Sequence, residues 1–245
     1  MVKVGIIQTR NYRSNKEGIQ RVTKLLDEAG AKNADIVCLP EQWLKDNVIK
    51  DFDSEFLDFK KIAKKHRMTI IPGAFYIKSK SKFKIESPVI GPKGEVIGVQ
   101  EKIHPFDYEK KTIMPGKEAK IFDTSCKFGI LICYDMVFPQ VAEKFVKKGA
   151  EILFSPSRIV KRGIEPWKTY VQARSLENRI PILASNVENR EFGGHSMILD
   201  LFERDKVMIP KIITTQGEGM ILKQFDLKKY EKNRKNRFLD SRKFF

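Results

Sequence analysis

Short apolar runs alternate with amphipathic stretches along the whole chain, and this alternation most restricts what it can fold into. Val2–Gln8 reads as a buried strand. Ser14 and Glu17 stand at capping-box spacing before a helix near residues 15–30, where Ile19, Val22, Leu25, Leu26 and Ala29 share one face. Residues 35–39 form a second strand that stops at Pro40, and a helix near 53–66 carries Phe56, Phe59 and Ala63 at helical spacing. Residues 69–77 read as a third strand. Lys82–Ile90 and residues 95–100 flank the turn-rich Gly91-Pro92-Lys93-Gly94, which predicts a hairpin. The second half follows with strands at 127–133, 151–154, 180–185, 196–200 and 219–225, and helices at 138–148 and 165–178. Such alternation predicts an α/β fold with helices covering mixed sheets. No interdomain linker or repeat interrupts it, so residues 1–245 are expected to form one domain, with a basic helix or tail from about 227.

Charge narrows the function less than it first suggests. Lys and Arg number 47 against 31 Asp and Glu, a net +16. Eight of these cations lie between Lys228 and Lys243, and most others are scattered as on a solvated surface. No helix-turn-helix signature, zinc-finger spacing or RNA-recognition motif accompanies them, so a nucleic-acid partner is not expected. Neither a membrane span nor a signal peptide is expected from the apolar runs. Cys38, Cys126 and Cys133 form no paired framework, which points to a reducing cytoplasm. Cysteine and histidine show no metal-ligand spacing, and no phosphate-binding loop is present, so neither metal nor cofactor is expected.

Three segments carry chemistry. In Phe128-Gly129-Ile130-Leu131-Ile132-Cys133-Tyr134-Asp135 an apolar strand runs into a cysteine just before a helix, where an α/β fold presents nucleophiles. Taken alone, the segment fits a small buried structural cysteine equally well. Val37-Cys38-Leu39-Pro40-Glu41 ends a buried strand in a carboxylate, an odd place for a charge without a partner or a task. Lys102 follows a hairpin strand. A histidine base for Cys133 would have to be His104 or His195, since His66 ends a lysine-rich helix and reads as surface. The signatures of papain-like enzymes are absent.

Together these segments resemble the nitrilase (carbon–nitrogen hydrolase) superfamily, whose members carry Glu, Lys and Cys in this order and in these contexts. The resemblance extends over nearly the whole chain, through Ala173-Arg174-Ser175-Leu176-Glu177-Asn178-Arg179, Ala184-Ser185-Asn186 and Gly194-His195-Ser196. It implies a four-layer α-β-β-α sandwich and a catalytic triad of Glu41, Lys102 and Cys133. A second glutamate, Glu109, would orient Lys102 or the substrate, and the Tyr134 N–H would complete an oxyanion hole. His195 is carried over as a residue on the substrate side. The substrate would be a small amide, with a nitrile or transfer of the acyl group to an amine as alternatives. An inactive basic binding module is the rival of another class. Relatives that bind N-carbamoyl amino acids use an arginine soon after the cysteine, where this chain has Met136 and Val137; that wall of the pocket is expected to be apolar. Arg158 would then grip a substrate carboxylate or pair with one of the protein's own. The resemblance also implies a homodimer or larger assembly, with residues 228–245 and the terminal Phe244-Phe245 docked on a partner subunit.

Overall fold

The computed structural model describes residues 1–242. In chain order, β1 (Val2–Gln8), β2 (Ile36–Cys38), β3 (Val48–Ile49), β4 (Thr69–Ile71), β5 (Phe75–Ser79), β6 (Lys82–Ile90) and β7 (Val96–Glu101) build most of one sheet. A second sheet contains β8 (Phe122–Asp123), β9 (Lys127–Ile130), β10 (Ile152–Pro156), β11 (Ile182–Ser185), β12 (Met197–Arg204) and β13 (Val207–Thr214). The last strand, β14 (Gly219–Phe225), returns to the first sheet and runs antiparallel to β1. The spatial orders are β14-β1-β2-β4-β6-β5-β3, with β7 also on β6, and β13-β12-β11-β10-β9-β8. Both sheets are mixed: β1, β2 and β4 run parallel, as do β9, β10 and β11, while the hairpins are antiparallel.

Alternation along the strands sorts side chains between two cores. Ile36 and Cys38 of β2 face the second sheet, whereas Val37 faces helices. Those helices are α1 (Asn15–Ala31) and α3 (Leu57–His66), which follows the short α2 (Phe52–Glu55). On the other side α4 (Pro139–Lys147) and α5 (Ile164–Asn178) cover the second sheet. The result is the expected α-β-β-α sandwich. At the start of α1, Ser14 Oγ accepts the Glu17 N–H at 3.2 Å. Glu17 reaches back to the Arg13 N–H at 2.9 Å, one residue earlier than a strict capping box.

Four expected elements differ. The strand drawn over 69–77 is two strands, β4 and β5, separated by Pro72-Gly73. Gly73 has φ +112°, and a Cβ there would lie 2.1 Å from the Pro40 carbonyl oxygen, so only glycine lets this loop pass the end of β2. The helix drawn over 53–66 breaks at Phe56. The strand drawn to Cys133 stops at Ile130, because Cys133 turns into the left-handed region at φ 47°. β13 was not anticipated: Pro210 interrupts its pattern, yet it pairs with β12 from Met197–Thr214 to Arg204–Val207. His66 is also less exposed than expected, with its Nε2 2.7 Å from Asp27.

The basic tail is a helix, α6 (Lys228–Arg242), seated on its own chain. Tyr230, Asn233, Arg234 and Phe238 fall on one face at helical spacing. Tyr230 is 1% exposed and its hydroxyl bonds Asp200, which Lys223 and Lys229 also approach at 3.2 Å. Arg234 donates to the Ala150 and Arg179 carbonyls. This much of the tail packs on its own chain; Phe244 and Phe245 lie outside the described residues. Removing the buried hydroxyl in Tyr230→Phe should cost about 1–2 kcal/mol, read as a lower urea midpoint at unchanged slope.

Candidate active site

The two sheets meet with three loop ends converging on one point. Glu41 follows β2 by three residues and is 2% exposed; its backbone N–H donates to Ser157 and it bridges to Ala74 beyond the Gly73 turn. Lys102 follows β7 and is 1% exposed, an extreme burial for a lysine and one that requires partners. They are present. Lys102 Nζ lies 2.9 Å from Glu41 Oε1, and 3.2 and 2.9 Å from the two Glu109 oxygens. Glu109 itself is fixed from behind by the Phe106 N–H at 2.7 Å. Here the lysine is clamped between two carboxylates.

Cys133 opens a 3-10 turn running to Val137, and the Glu41 carboxylate and the Arg158 backbone N–H both act on its sulfur. Burial raises its pKa, the charge of Glu41 raises it further, and Lys102 and the Arg158 N–H only partly offset this. The resting group is therefore a neutral thiol, which must lose its proton as it attacks. Burial alone would lower the Lys102 pKa. The surrounding carboxylates, Glu41 first and then Glu109, more than reverse this and hold it well above the ordinary value, so the ammonium stays charged. Burial raises Glu109, with help from Glu41, against the pull of Lys102. By contrast Cys38 and Cys126 are pushed up to about 12 by burial and stay structural, as expected.

The remaining expected site residues divide. The Tyr134 N–H has no acceptor among the described residues, while the next N–H, of Asp135, is taken by Ile132. It is therefore a backbone donor of this turn free to meet a developing oxyanion. Arg158 donates to Gln42 Oε1 at 2.7 Å and its guanidinium lies 4.2 Å from the centre of the Phe192 ring. No carboxylate among the described residues pairs with it. It lines a cavity of about 200 Å³ with Asn11, Tyr12, Gln42 and Trp43. His195 is not brought to the site: its ring is exposed and makes no hydrogen bond or ion pair with Glu41, Lys102 or Cys133. Its conformation, φ 54°, turns the chain so that Ser196 can bond Gln8 and Asn186. His104 is also unavailable as a base, being bonded to Asp135 at 3.1 Å and stacked on Phe138 at 3.9 Å. Met136 is fully buried and packs in the core between the sheets and α4 and α5.

Two residues that sequence reasoning passed over support the nucleophile turn. Arg174 of α5, 5% exposed, donates to the Met136 and Val137 carbonyls at 3.1 Å each. Asp135 accepts from both neighbouring segments.

A half-buried thiol thus stands beside a buried carboxylate and a buried ammonium where the strands end. The carbon–nitrogen hydrolase family model matches residues 3–235, and the chain belongs to that family and to the nitrilase superfamily. It is thus a carbon–nitrogen hydrolase, of a family that carries a Glu-Lys-Cys triad. Among curated relatives, 2-oxoglutaramate amidase of Bacillus subtilis (strain 168) is 28% identical over 89% of this chain and 87% of its own. An omega-amidase of Mus musculus is 26% identical over 93% and 89%. In structure, the chain matches a Saccharomyces cerevisiae member of branch 10 of the nitrilase superfamily with a TM-score of 0.84 at 22% identity, covering 100% and 97% of the two chains. A carbon–nitrogen hydrolase from Helicobacter pylori G27 matches at 0.78 and 24% identity, over 96% and 92%. These structures share the fold. No helix among the described residues is long and apolar enough to cross a membrane.

Proposed function

We propose that the protein is an amidase that converts a small aliphatic amide to an acid and ammonia through a thioester on Cys133. The observation that carries this reading is the buried ion pair of Lys102 and Glu41, 2.9 Å apart, with the Glu41 carboxylate acting on the Cys133 thiol. Glu41 takes the thiol proton as sulfur attacks the carbonyl carbon. The Lys102 ammonium and the Tyr134 N–H hold the oxyanion, each fixed donor being worth about 3–4 kcal/mol. The tetrahedral intermediate collapses with the proton passing from Glu41 to the departing nitrogen, and ammonia leaves. Water then gives a proton to Glu41 and attacks the thioester carbon; the C–S bond breaks, the proton passes from Glu41 to the departing sulfur, and the acid leaves the free thiol behind. Glu109 keeps Lys102 aimed throughout. The test is ammonia release over a panel of amides and nitriles, with and without an amine acceptor, read beside intact mass. A mass increase on Cys133 that decays to free enzyme supports the thioester. Turnover of nitriles alone would move the assignment to a nitrilase.

Within this reading the preferred substrate is the terminal amide of a short dicarboxylic acid. The names of the Bacillus and mouse relatives point the same way, and Arg158 is a cation without a carboxylate partner whose backbone touches the nucleophile. A guanidinium held by Gln42 and Phe192 can meet a carboxylate with two parallel N–H bonds. Arg158→Met should therefore lower kcat/KM by about 2–4 kcal/mol, converted from rates, for an anionic amide and little for a neutral one of equal length. Equal losses on both would make Arg158 a scaffold for the loop. Assembly as a homodimer or larger remains part of the proposal, to be read by light scattering at micromolar concentration.

A further inference from the structure

The geometry points to Asp135 as a positioning residue that sets the distance between the lysine and the nucleophile. Its carboxylate is 1% exposed and accepts four N–H donors from two segments. From the segment after Lys102 come the Ile103 N–H at 3.2 Å, the His104 N–H at 2.7 Å and His104 Nδ1 at 3.1 Å. From the residue before Cys133 comes the Ile132 N–H at 3.3 Å. One side chain thus ties the residue after the ammonium to the residue before the thiol. Cys133 is held at φ 47°, a strained conformation for a residue with a Cβ, which persists only where its surroundings over-determine it. On the opposite side Arg174 takes the carbonyls of Met136 and Val137, so both ends of the turn are gripped. Asp135 touches no reacting atom. Its effect passes through Lys102 and Cys133.

The inference rests on the amidase reading, and its test is arranged to fail separately from it. Asp135→Asn keeps shape and volume but presents an N–H₂ to donors that need an acceptor. In this variant kcat should fall at least about 50-fold with KM within threefold. Alkylation of Cys133 by iodoacetamide, followed by intact mass, should slow at least about tenfold. A purely structural role would lower the melting temperature and leave both rates of the folded fraction unchanged, and that result overturns the proposal. If the wild type turned over no amide, the amidase reading would fall, while alkylation would still decide the role of Asp135. Should Asp135→Asn not fold, His104→Phe removes one of the four donors and keeps a ring on Phe138. A kcat five- to twentyfold lower at constant KM supports the positioning role; an unchanged kcat overturns it.

Discussion

Cys133→Ala is expected to lower turnover at least about 10⁴-fold on every substrate, with no mass adduct and no loss of fold. The reasoning is that no other thiol stands near Glu41 among the described residues, and the neighbouring Lys102 is held as an ammonium with no free electron pair to attack. The two other thiols are buried and pushed up to about 12, Cys38 between the sheets against Ser185 and Cys126 near Glu151, Asp35 and Asp123. Cys38→Ala and Cys126→Ala should each leave kcat/KM within about threefold and cost about 1 kcal/mol of stability, the ordinary range for a buried truncation. The same comparison separates an enzyme from a basic protein that merely binds polyanions. Residual wild-type turnover in Cys133→Ala would falsify the thioester mechanism, whatever else the protein proved to bind. Glu41→Gln should be equally silent, because the neutral thiol then has no base to receive its proton.

How much of this was legible beforehand depends on the range of the interaction concerned. Strands and helices governed by periodicity were visible: Val22, Leu25, Leu26 and Ala29 mark the face of α1, and Gly91-Pro92-Lys93-Gly94 marks the hairpin of β6 and β7. Elements governed by distant contacts were not. The break at Gly73 exists because the chain must pass Pro40, thirty-three positions earlier. The site shows the same division. Glu41, Lys102 and Cys133 were found as charges and a thiol at strand ends, read jointly through a family resemblance. The role of Asp135 was hidden because its partners Ile103 and His104 lie thirty-two and thirty-one residues back, and no local pattern announces them. His195 misled in the opposite direction: it adjoins Ser196, whose hydroxyl and N–H serve the fold, while the ring itself faces outward.

Lys102→Met should remove activity and also change how stability depends on pH. The lost oxyanion donor alone accounts for about 10²–10³-fold in kcat, and misplacement of Glu41 adds to that. For stability, methionine fills the lysine's volume but leaves Glu41 and Glu109 buried together without their cation. Breaking a buried ionic cluster in this way costs about 3–5 kcal/mol when the remaining charge stays. Glu109 has an escape. Burial, and then Glu41, already raise its pKa, and Lys102 is one of the groups holding it down. Without Lys102 its pKa must rise further, so the folded variant binds a proton that the unfolded chain releases near the ordinary carboxylate value. A group raised in the folded state contributes stability fully below that ordinary value and loses it as pH rises through the folded one. The variant should therefore be least deficient in acid and fall progressively behind the wild type toward neutrality, in urea midpoints taken across pH 4–8. Adding Glu109→Gln removes the titrating group, so the double variant should lose this extra slope and regain part of the stability at pH 8. If the single variant instead trailed the wild type by a constant amount at every pH, Lys102 would be acting through packing alone, and the two carboxylates would not be sharing its charge.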